Sequence, residues 1–384
     1  MNNFNTQPDW HHIYNIAAVP ESEWNALAGD NPFTQHAFLK ALESSRCVGG
    51  DTGWEPVHLV GLRKKTLLAA LPLYRKWHSY GEYVFDYAWA HAYASYGLDY
   101  FPKLVCTVPF SPITGPRLMA NSVQLRQILA QKVTEVAVNL GASSVHALFI
   151  QKDELEAWAS AGFHTRLQTQ FCWQNEGFPS FDDFLNTLRH DKRKKIKQER
   201  KKLASEDITF EYLEGQEISA QIWAFFHACY LNTYQAHASM PYLNLDFFET
   251  LGQTMPDAIR LILVKRSGKP IATALFLTNG RTLFGRHWGA FEYWPGLHFE
   301  TCYYQAIEYA IREKFERVEA GVQGEHKLAR GYVPHLTYSM HHLVDAHCDH
   351  AIREWLQEER KLIHNRNQFL HERTPFRIVP KSGP

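Results

Sequence analysis

The sequence predicts a mixed helix and sheet (α+β) protein built of two similar units. Strand runs joined by short turns precede a helix and a further strand, and this order occurs in each half of the chain. The 384 residues are 45% hydrophobic, so the chain can bury a sizeable core and exceeds one typical domain. We therefore expect a first unit over residues 1–180, a basic helical segment over 181–207, and a second unit over 208–384 that ends in a helix.

The first unit is predicted from two apolar runs and a helical pattern. Residues 57–62 and 66–74 flank the polar turn Arg63-Lys-Lys65 and form a predicted hairpin. Apolar residues recur at helical spacing over 123–140, and Gly141 then ends the pattern. We expect the next run, 144–150, to be a strand.

The second unit repeats this order with clearer turns. Asn279-Gly280 and Ser267-Gly268 separate three strand runs, and Asn-Gly is the strongest short hairpin signal. The runs should therefore form a three-stranded meander, followed by a helix and one more strand. The expected ranges are 261–264, 271–277 and 282–288 for the meander, 297–315 for the helix and 317–320 for the last strand.

The most charged part of the chain lies between these halves. Its apolar stripe, Leu188, Ile196 and Leu203, is too narrow to bury a helix deeply, so we expect a surface helix with a basic face. The whole chain has 40 basic and 40 acidic residues, so any anionic partner must meet a local patch. The partner could be tRNA, the phosphates of a nucleotide- or lipid-linked precursor, or an anionic membrane, and the alternative is a merely solvated face. The candidate residues are Lys192, Arg193, Lys195, Lys197, Arg200 and Lys201.

A glycine-punctuated loop over residues 321–331 follows the last predicted strand. It carries Glu325, His326, Lys327 and Arg330, and its glycines allow close approach of a ligand to the backbone. The alternative interpretation is a solvated surface turn. Four ionisable side chains within six positions favour chemistry or recognition.

Several segments together resemble one known family. In the first half these are Phe85-Asp-Tyr-Ala-Trp-Ala90, residues 97–103 and residues 108–117. In the second half they are Gly285-Arg-His-Trp-Gly289, residues 297–305 and residues 325–331. This pattern is similar to the FemAB-like predicted N-acyltransferases, of peptidoglycan biosynthesis or recognition type. The resemblance implies two tandem units of the GNAT acyltransferase fold, acyl transfer to an amine, and a link to peptidoglycan.

Acyl transfer to an amine requires a base for the nucleophile and donors for the oxyanion. Glu325 or His326 could be the base, and Glu300 is a second candidate carboxylate, with an ion pair to Arg286 as its alternative role. Lys327 or Arg330 could bind a phosphate or carboxylate. The candidate substrate-binding residues are Lys327, Arg330, Arg286, His287, Asp86, Trp89 and Arg117, and structural salt bridges are the alternative for Asp86 and Arg117.

The expected acyl donor follows from the turn that joins the second meander to its helix. Acetyl-CoA-dependent GNAT enzymes hold the pyrophosphate on a glycine-rich turn at a helix N-terminus. Here that turn is expected at residues 286–291, where Phe291 replaces a small residue and Glu292 adds a negative charge. We therefore expect no tightly bound cofactor, and aminoacyl-tRNA or another acyl carrier as donor in preference to acetyl-CoA.

The acceptor is expected to be an amine-bearing small molecule or a cell-wall precursor. An alternative function is a catalytically inert module that binds peptidoglycan fragments or a protein partner. A fold can host either kind of site, so the sequence leaves both open.

Several other kinds of protein or site are not expected. Residues 1–10 lack the pattern of a signal peptide, and no run of 18 apolar residues is present. Six scattered cysteines without a CxxC pair suit reduced thiols in the cytoplasm. No metal site is expected, because the spacing of His341, His342, His347, Cys348 and His350 fits no known zinc motif.

Overall fold

The computed structural model describes residues 8–321 and 324–377. The chain divides into two compact units, the first formed by residues 1–168 and 337–364 and the second by residues 169–336 and 365–384. This differs from the boundaries expected at residues 180 and 207, because the chain returns to the first unit at Thr337 and leaves it after His364. Residues 1–7, which carry part of the signal-peptide argument, lie outside the described residues.

The first unit begins the chain and contains most of the short strands. Its predicted hairpin, its long helix and the strand that follows are confirmed as β3, β4, α4 and β8 below. The elements are β1 (Asp9–Ile13), α1 (Glu21–Ala28), α2 (His36–Ser44), β2 (Trp54–Pro56), β3 (His58–Arg63), β4 (Thr66–Leu71), β5 (Leu73–Lys76), α3 (Tyr87–Ser95), β6 (Lys103–Cys106), β7 (Met119–Ala120), α4 (Val123–Asn139), β8 (Ser144–Ile150) and α5 (Leu155–Ser160).

Three elements contain residues of both units. They are β9 (His164–Gln174), β15 (Val333–Leu343) and α12 (Ala346–Glu372). Within the first unit one sheet has the order β1-β3-β4-β7, and a second has the order β15-β8-β6-β5-β2. β6 and β8 are parallel, with α4 as their crossover helix, and Leu129, Val133 and Trp158 are fully buried in the core.

The second unit contains the basic helix and the long meander. The predicted three-stranded meander, the helix and the last strand are confirmed as β11 to β13, α10 to α11 and β14. The elements are α6 (Phe181–Thr187), α7 (His190–Ala204), β10 (Ile208–Glu214), α8 (Ala220–Ala236), α9 (Leu245–Thr254), β11 (Ile259–Arg266), β12 (Lys269–Thr278), β13 (Thr282–Ala290), α10 (Leu297–Phe299), a π-helical segment (Glu300–Tyr304), α11 (Gln305–Arg312) and β14 (Arg317–Glu319).

The sheet of the second unit has the order β10-β11-β12-β13-β14-β9. All neighbours are antiparallel except β13 and β14, which are parallel and joined by the crossover α10 to α11. The crossover packs an apolar face on the sheet through Tyr303, Ile307 and Ala310. This mixed helix and sheet architecture is the predicted fold class.

The basic helix α7 lies on the surface, as predicted. Only Ile196 and Leu203 of its side chains are buried, and their spacing of seven residues places them on one face. None of the helices in the described part of the chain is long and apolar enough to cross a membrane.

Gly289 lets helix α8 lie directly against β13. A Cβ atom at this position would be 2.1 Å from the carbonyl oxygen of Cys229 and 2.3 Å from its carbonyl carbon. Both atoms belong to the backbone of α8, so they cannot move aside as a flexible side chain would. Close packing of helix on strand therefore requires glycine here.

We predict that Gly289→Ala lowers the free energy of unfolding by about 3 kcal/mol, because α8 must shift to admit the methyl group. Gly268→Ala is the control: it has open space but a φ of +76°, so it should cost only about 1 kcal/mol. Urea unfolding followed by circular dichroism measures both. Equal losses in the two variants would contradict the packing argument.

Candidate functional site

The parallel strands β13 and β14 separate after a short paired region. Thr282, Leu283 and Phe284 face Arg317, Val318 and Glu319, and β13 then continues alone on that side to Ala290. At the separation β13 carries a bulge: Leu275 of β12 faces His287, whereas Phe276 faces Gly285, so Arg286 is the additional residue. The bulge and the separation open a gap between the strands.

A cavity of about 130 Å³ occupies this gap. The strand β13, the end of β14 and the π-helical crossover supply its walls. The lining residues are Ala274, Leu275, Phe276, Gly285, Arg286, His287, Trp288, His298, Cys302, Tyr303, Glu319 and Ala320. Of the sequence candidates, Arg286 and His287 are therefore in one cavity.

The continuation of β13 is held by side chains of α8. Thr233 Oγ1 donates to the carbonyl of Trp288 at 2.9 Å, and Asn232 Nδ2 donates to the carbonyl of Ala290 at 2.6 Å. These bonds replace those that a neighbouring strand would make. The open side of the strand is thus stabilised without closing the cavity.

Glu319 is the carboxylate of this cavity, and the sequence interpretation missed it. Its Oε1 accepts from Arg317 Nη2, whereas its buried Oε2 has no hydrogen-bond partner and lies 3.8 Å from His335 Nε2. Burial raises the pKa of Glu319, opposed by the charge of Arg317. The signal available in the sequence was its position at the carboxyl end of a strand that follows a crossover helix.

Arg286 is the cation of this cavity, and its two histidines and its cysteine are held neutral. Burial lowers the pKa of His298 to about 4 and the pKa of His287 well below its usual value. Burial also raises the pKa of Cys302, so this thiol is a poor nucleophile. Glu319 is therefore the group best placed to exchange a proton.

The predicted charged loop contains a short 3-10 helix, Glu325–Arg330, while Val322 and Gln323 lie outside the described residues. None of its four ionisable residues lines the cavity, contrary to expectation. Two of them contact residues of its lining: Lys327 Nζ is 2.6 Å from the carbonyl oxygen of Ala320, and His326 Nε2 is 3.1 Å from the hydroxyl of Tyr303. Glu325 is exposed and pairs with Arg366 at 2.7 Å, so it is not placed to act as a base in this cavity.

Lys327 and Arg330 face inwards and are bound to the chain itself. Lys327 Nζ donates to the carbonyls of Ala320 at 2.6 Å and Gly321 at 3.1 Å. Arg330 Nη1 donates to the carbonyl of His326 at 2.8 Å, and its guanidinium lies 3.5 Å from the ring centre of Phe299. Both cations therefore bind the backbone of their own chain, and their role in binding a phosphate stays a prediction.

Glu300 faces away from this cavity, in the π-helical segment of the crossover. Its Oε1 accepts from Arg200 Nε at 3.0 Å and from Gln305 Nε2 at 2.6 Å. Glu300 forms an ion pair, which was its alternative role, but the partner is Arg200 of the basic helix instead of Arg286. Glu300 lines a second, separate cavity.

The turn expected at residues 286–291 is also displaced. Residues 286–290 belong to β13, and the turn to the crossover helix covers residues 291–296. Phe291 is 55% exposed, and Glu292 accepts from the indole N–H of Trp294 at 2.9 Å. The tight packing of Gly289 on α8 explains why this glycine belongs to a strand and not to a phosphate-binding turn.

The remaining sequence candidates belong to the first unit. Asp86 is buried and accepts from Lys103 Nζ and from the hydroxyl of Tyr100. Trp89 is buried beside Arg166, whose guanidinium carbon is 5.1 Å from its ring centre. Both residues stabilise the interior of that unit.

Arg117 is fully buried in the first unit. Its guanidinium donates to the carbonyls of Ile113, Pro116 and Leu148 at 2.9 to 3.1 Å. These bonds hold the Arg117 side chain inside the fold. Its role in this structure is therefore structural, which was the alternative to substrate binding.

The basic helix has several engaged cations. Arg200 Nη2 pairs with Glu308 at 2.5 Å in addition to Glu300, so it is not an open anion-binding group. Lys197 pairs with Asp182 at 2.8 Å, an exposed contact that contributes little to stability. Lys192 pairs with the adjacent Asp191 at 3.3 Å, Arg193 donates to Asn186 at 3.1 Å, and Lys195 and Lys201 are exposed.

Of the histidine tract, His341 near the end of β15 lies in the first unit's interior, whereas His347 and His350 are exposed. His341 Nδ1 lies 2.8 Å from His146 Nδ1, and its Nε2 lies 2.8 Å from the hydroxyl of Ser339. Burial lowers the pKa of both histidines well below the usual value. In the part of the chain that the structure describes, no three His, Cys, Asp or Glu side chains are grouped to hold a metal ion.

Comparison with known proteins gives a family and a fold. The sequence model of the FemAB-like family, described as peptidoglycan biosynthesis/recognition, matches residues 15–378. No curated protein matches the sequence.

Among solved structures, the chain is similar to FemX, with 11% identity over 88% of this chain and 97% of that one and a TM-score of 0.54. It is also similar to L-PGS from Bacillus licheniformis, with 9% identity over 98% of this chain and 100% of that one and a TM-score of 0.55. The C-terminal domain of a putative lysylphosphatidylglycerol synthetase from Agrobacterium fabrum is 10% identical over 89% of this chain and 96% of that one, with a TM-score of 0.52. At these identities the likeness supports the fold alone.

We predict a pH-dependent effect of Lys327. Burial lowers the pKa of Lys327 from 10.5 to about 8. Between these pH values the unfolded chain binds a proton on Lys327 that the folded chain has lost. The contribution of Lys327 to the free energy of unfolding therefore rises with pH over this range. Lys327→Met should be less stable than the wild type at every pH, because two carbonyls lose their donor. The difference between the proteins should widen by about 3 kcal/mol from pH 8 to 10.5. Urea unfolding at several pH values measures it, and a constant difference would contradict the lowered pKa.

Proposed function

Because this chain belongs to the FemAB-like family, we propose that it is an N-acyltransferase that moves an activated acyl or aminoacyl group onto an amine. The observation that carries this proposal is the unpartnered, buried Oε2 atom of Glu319 in the cavity between the separated strands. A buried carboxylate oxygen without a partner has a high cost unless a ligand satisfies it. An ammonium or amine group of a substrate is a suitable donor.

In this proposal Glu319 is the general base. The acceptor enters as an ammonium group and gives a proton to Glu319 Oε2, which leaves a neutral amine with a lone pair. The raised pKa of Glu319 makes the carboxylate a stronger base than a solvent-exposed one. Arg317 keeps enough of the carboxylate ionised to accept the proton.

The new bond forms between the amine nitrogen and the acyl carbon, and the bond from that carbon to the carrier breaks. We place the oxyanion of the tetrahedral intermediate against peptide N–H groups of β13 beyond Phe284, where β14 no longer pairs with the strand. The nitrogen is positively charged once this bond has formed, so it loses one further proton, and the carrier leaves with the electrons of the broken bond and takes up that proton. Neutral His298 and Tyr303 line the same cavity and can pass that proton.

The size of the cavity limits what enters. A volume of about 130 Å³ corresponds to about four water molecules at roughly 30 Å³ each. The acyl or aminoacyl group itself fits such a space, whereas its carrier must remain outside. We propose aminoacyl-tRNA or another acyl carrier as the donor, in preference to acetyl-CoA because Phe291 and Glu292 occupy the turn before the crossover helix.

The family supports an acceptor of the peptidoglycan precursor class that carries a primary amine. Other amine-bearing small molecules are compatible with the same cavity. The location in the cytoplasm, expected from the cysteine pattern, stays a prediction. A module that only binds peptidoglycan fragments is the outcome if no donor supports turnover.

We predict that Glu319→Gln lowers turnover by about 10²–10⁴-fold, because the base is lost while the amide keeps the shape of the side chain. The matched control is Glu325→Gln, which alters an exposed carboxylate outside the cavity and should leave turnover unchanged. Purified protein is incubated with aminoacyl-tRNA, acyl-CoA and carrier-protein donors and amine-bearing cell-wall precursors, and mass spectrometry detects the acylated product.

The pH profile gives a second readout of the same substitution. Wild-type turnover should rise with pH through the raised pKa of Glu319, and this limb should be absent in Glu319→Gln. Full activity of Glu319→Gln with any donor would exclude Glu319 as the base. Binding of precursors without turnover by any donor would favour the binding module.

We also predict weak binding of acetyl-CoA. The turn over residues 291–296 has a single glycine, Gly296 at its end, and Glu292 repels a pyrophosphate near the start of the crossover helix. Calorimetry should give a Kd above about 100 μM, a loss of roughly 3 kcal/mol relative to a site that binds at 1 μM. A low-micromolar Kd would restore acetyl-CoA as the donor.

A further inference from the structure

The basic helix α7 lies between a cavity with one apolar wall and a basic groove. The cavity has a volume of about 510 Å³ and the groove about 490 Å³. Lys197 and Lys201 line both, and they lie four residues apart on one face of the helix. These two cations therefore lie on the boundary between the two spaces.

Half of the twelve residues that line the cavity are apolar, and the polar half includes Asp182 and Gln305. Arg200 crosses one side, with its guanidinium carbon 4.5 Å from the ring centre of Phe181. No residue of this cavity lines the smaller one between β13 and β14. The apolar wall is formed by Phe181, Leu185, Leu203, Ala204, Ile208 and Phe210.

Glu300 is the polar group of this cavity that lacks a partner. Its side chain is only 3% exposed, and its Oε1 is satisfied by Arg200 and Gln305. Its Oε2 is buried and accepts no hydrogen bond. A ligand that enters here gains by donating an N–H or O–H group to this oxygen.

The groove on the other side of the helix suits an anion. Its described lining residues include no acidic side chain; they are Asn186, His190, Arg193, Lys194, Lys197, Gln198 and Lys201. Lys197 is bound to Asp182 at 2.8 Å, but both side chains are more than half exposed, so a phosphate can replace this partner at little cost. The groove therefore offers a phosphate several cations at close range.

We propose that the cavity and the groove together bind a nucleoside phosphate. The base lies against the apolar wall and donates an amino N–H to Glu300 Oε2, while the phosphates lie in the groove against Lys197 and Lys201. A hydrocarbon chain would fill the cavity equally well but cannot donate to Glu300. This site is additional to the proposed acyl transfer and does not depend on it.

The test is calorimetry on the full chain with the four common nucleoside diphosphates and with pyrophosphate alone. We expect at least one nucleoside diphosphate to bind at tens of micromolar, and pyrophosphate at least tenfold more weakly. Affinity should fall with salt, because phosphate contacts with exposed cations are screened. Binding of pyrophosphate as tight as that of every nucleoside diphosphate would overturn the proposal.

Three variants locate the ligand. Ala204→Trp fills the mouth of the cavity from an exposed position and should reduce nucleotide affinity at least tenfold. Lys201→Glu should do the same through the groove. Lys202→Glu is the matched control, because this exposed lysine of the same helix lines neither space.

Glu300→Gln tests the donor directly. The wild type should bind ADP about tenfold more tightly than the diphosphate of purine riboside, which lacks the amino group, and the variant should lose this preference. If Glu300→Gln does not fold, Ala204→Trp still decides. Undiminished nucleotide binding in Ala204→Trp, or binding only to vesicles of anionic phospholipid, would overturn the site.

Discussion

The parallel strands β13 and β14 remain paired for only three residues, and the candidate site of the second unit depends on this short pairing. A strand edge without a neighbour leaves peptide groups that must be satisfied elsewhere. Thr233 and Asn232 supply donors to β13, and Lys327 supplies one to the chain directly after β14. The gap between the strands is thus held open from both sides by side chains that replace ladder hydrogen bonds.

Elements whose signals are local were predicted well. Gly280 of the Asn279-Gly280 turn has a φ of +83°, and the strands on both sides of the turn pair with each other as predicted. The helix α4 and the strand β8 follow from apolar spacing and from Gly141, which has a φ of +63°. In each case the turn glycines and the apolar spacing that determine the element lie within it or directly beside it in the sequence.

The candidate site was harder to predict, because burial and partners depend on distant residues. Glu319 and Glu325 are both glutamates near one strand end, but only Glu319 lies in the cavity. Arg330 resembles a ligand-binding cation, yet Glu199, over a hundred residues earlier, lies 3.5 Å from it. In the sequence Gly289 resembles part of a phosphate-binding turn, but in the structure it packs against the carbonyl of Cys229.

The interleaved path of the chain has a consequence for its synthesis. Neither unit is continuous in sequence, because residues 337–364 complete the first and residues 365–384 belong to the second. A domain that is continuous can fold as it leaves the ribosome, N-terminal unit first. Here the first unit is not complete until residue 364 has been translated, and the second also needs residues that follow it. A chain stopped before residue 337 therefore lacks the residues of β15 that pair with β8, which keeps only β6 as its neighbour in the described sheet.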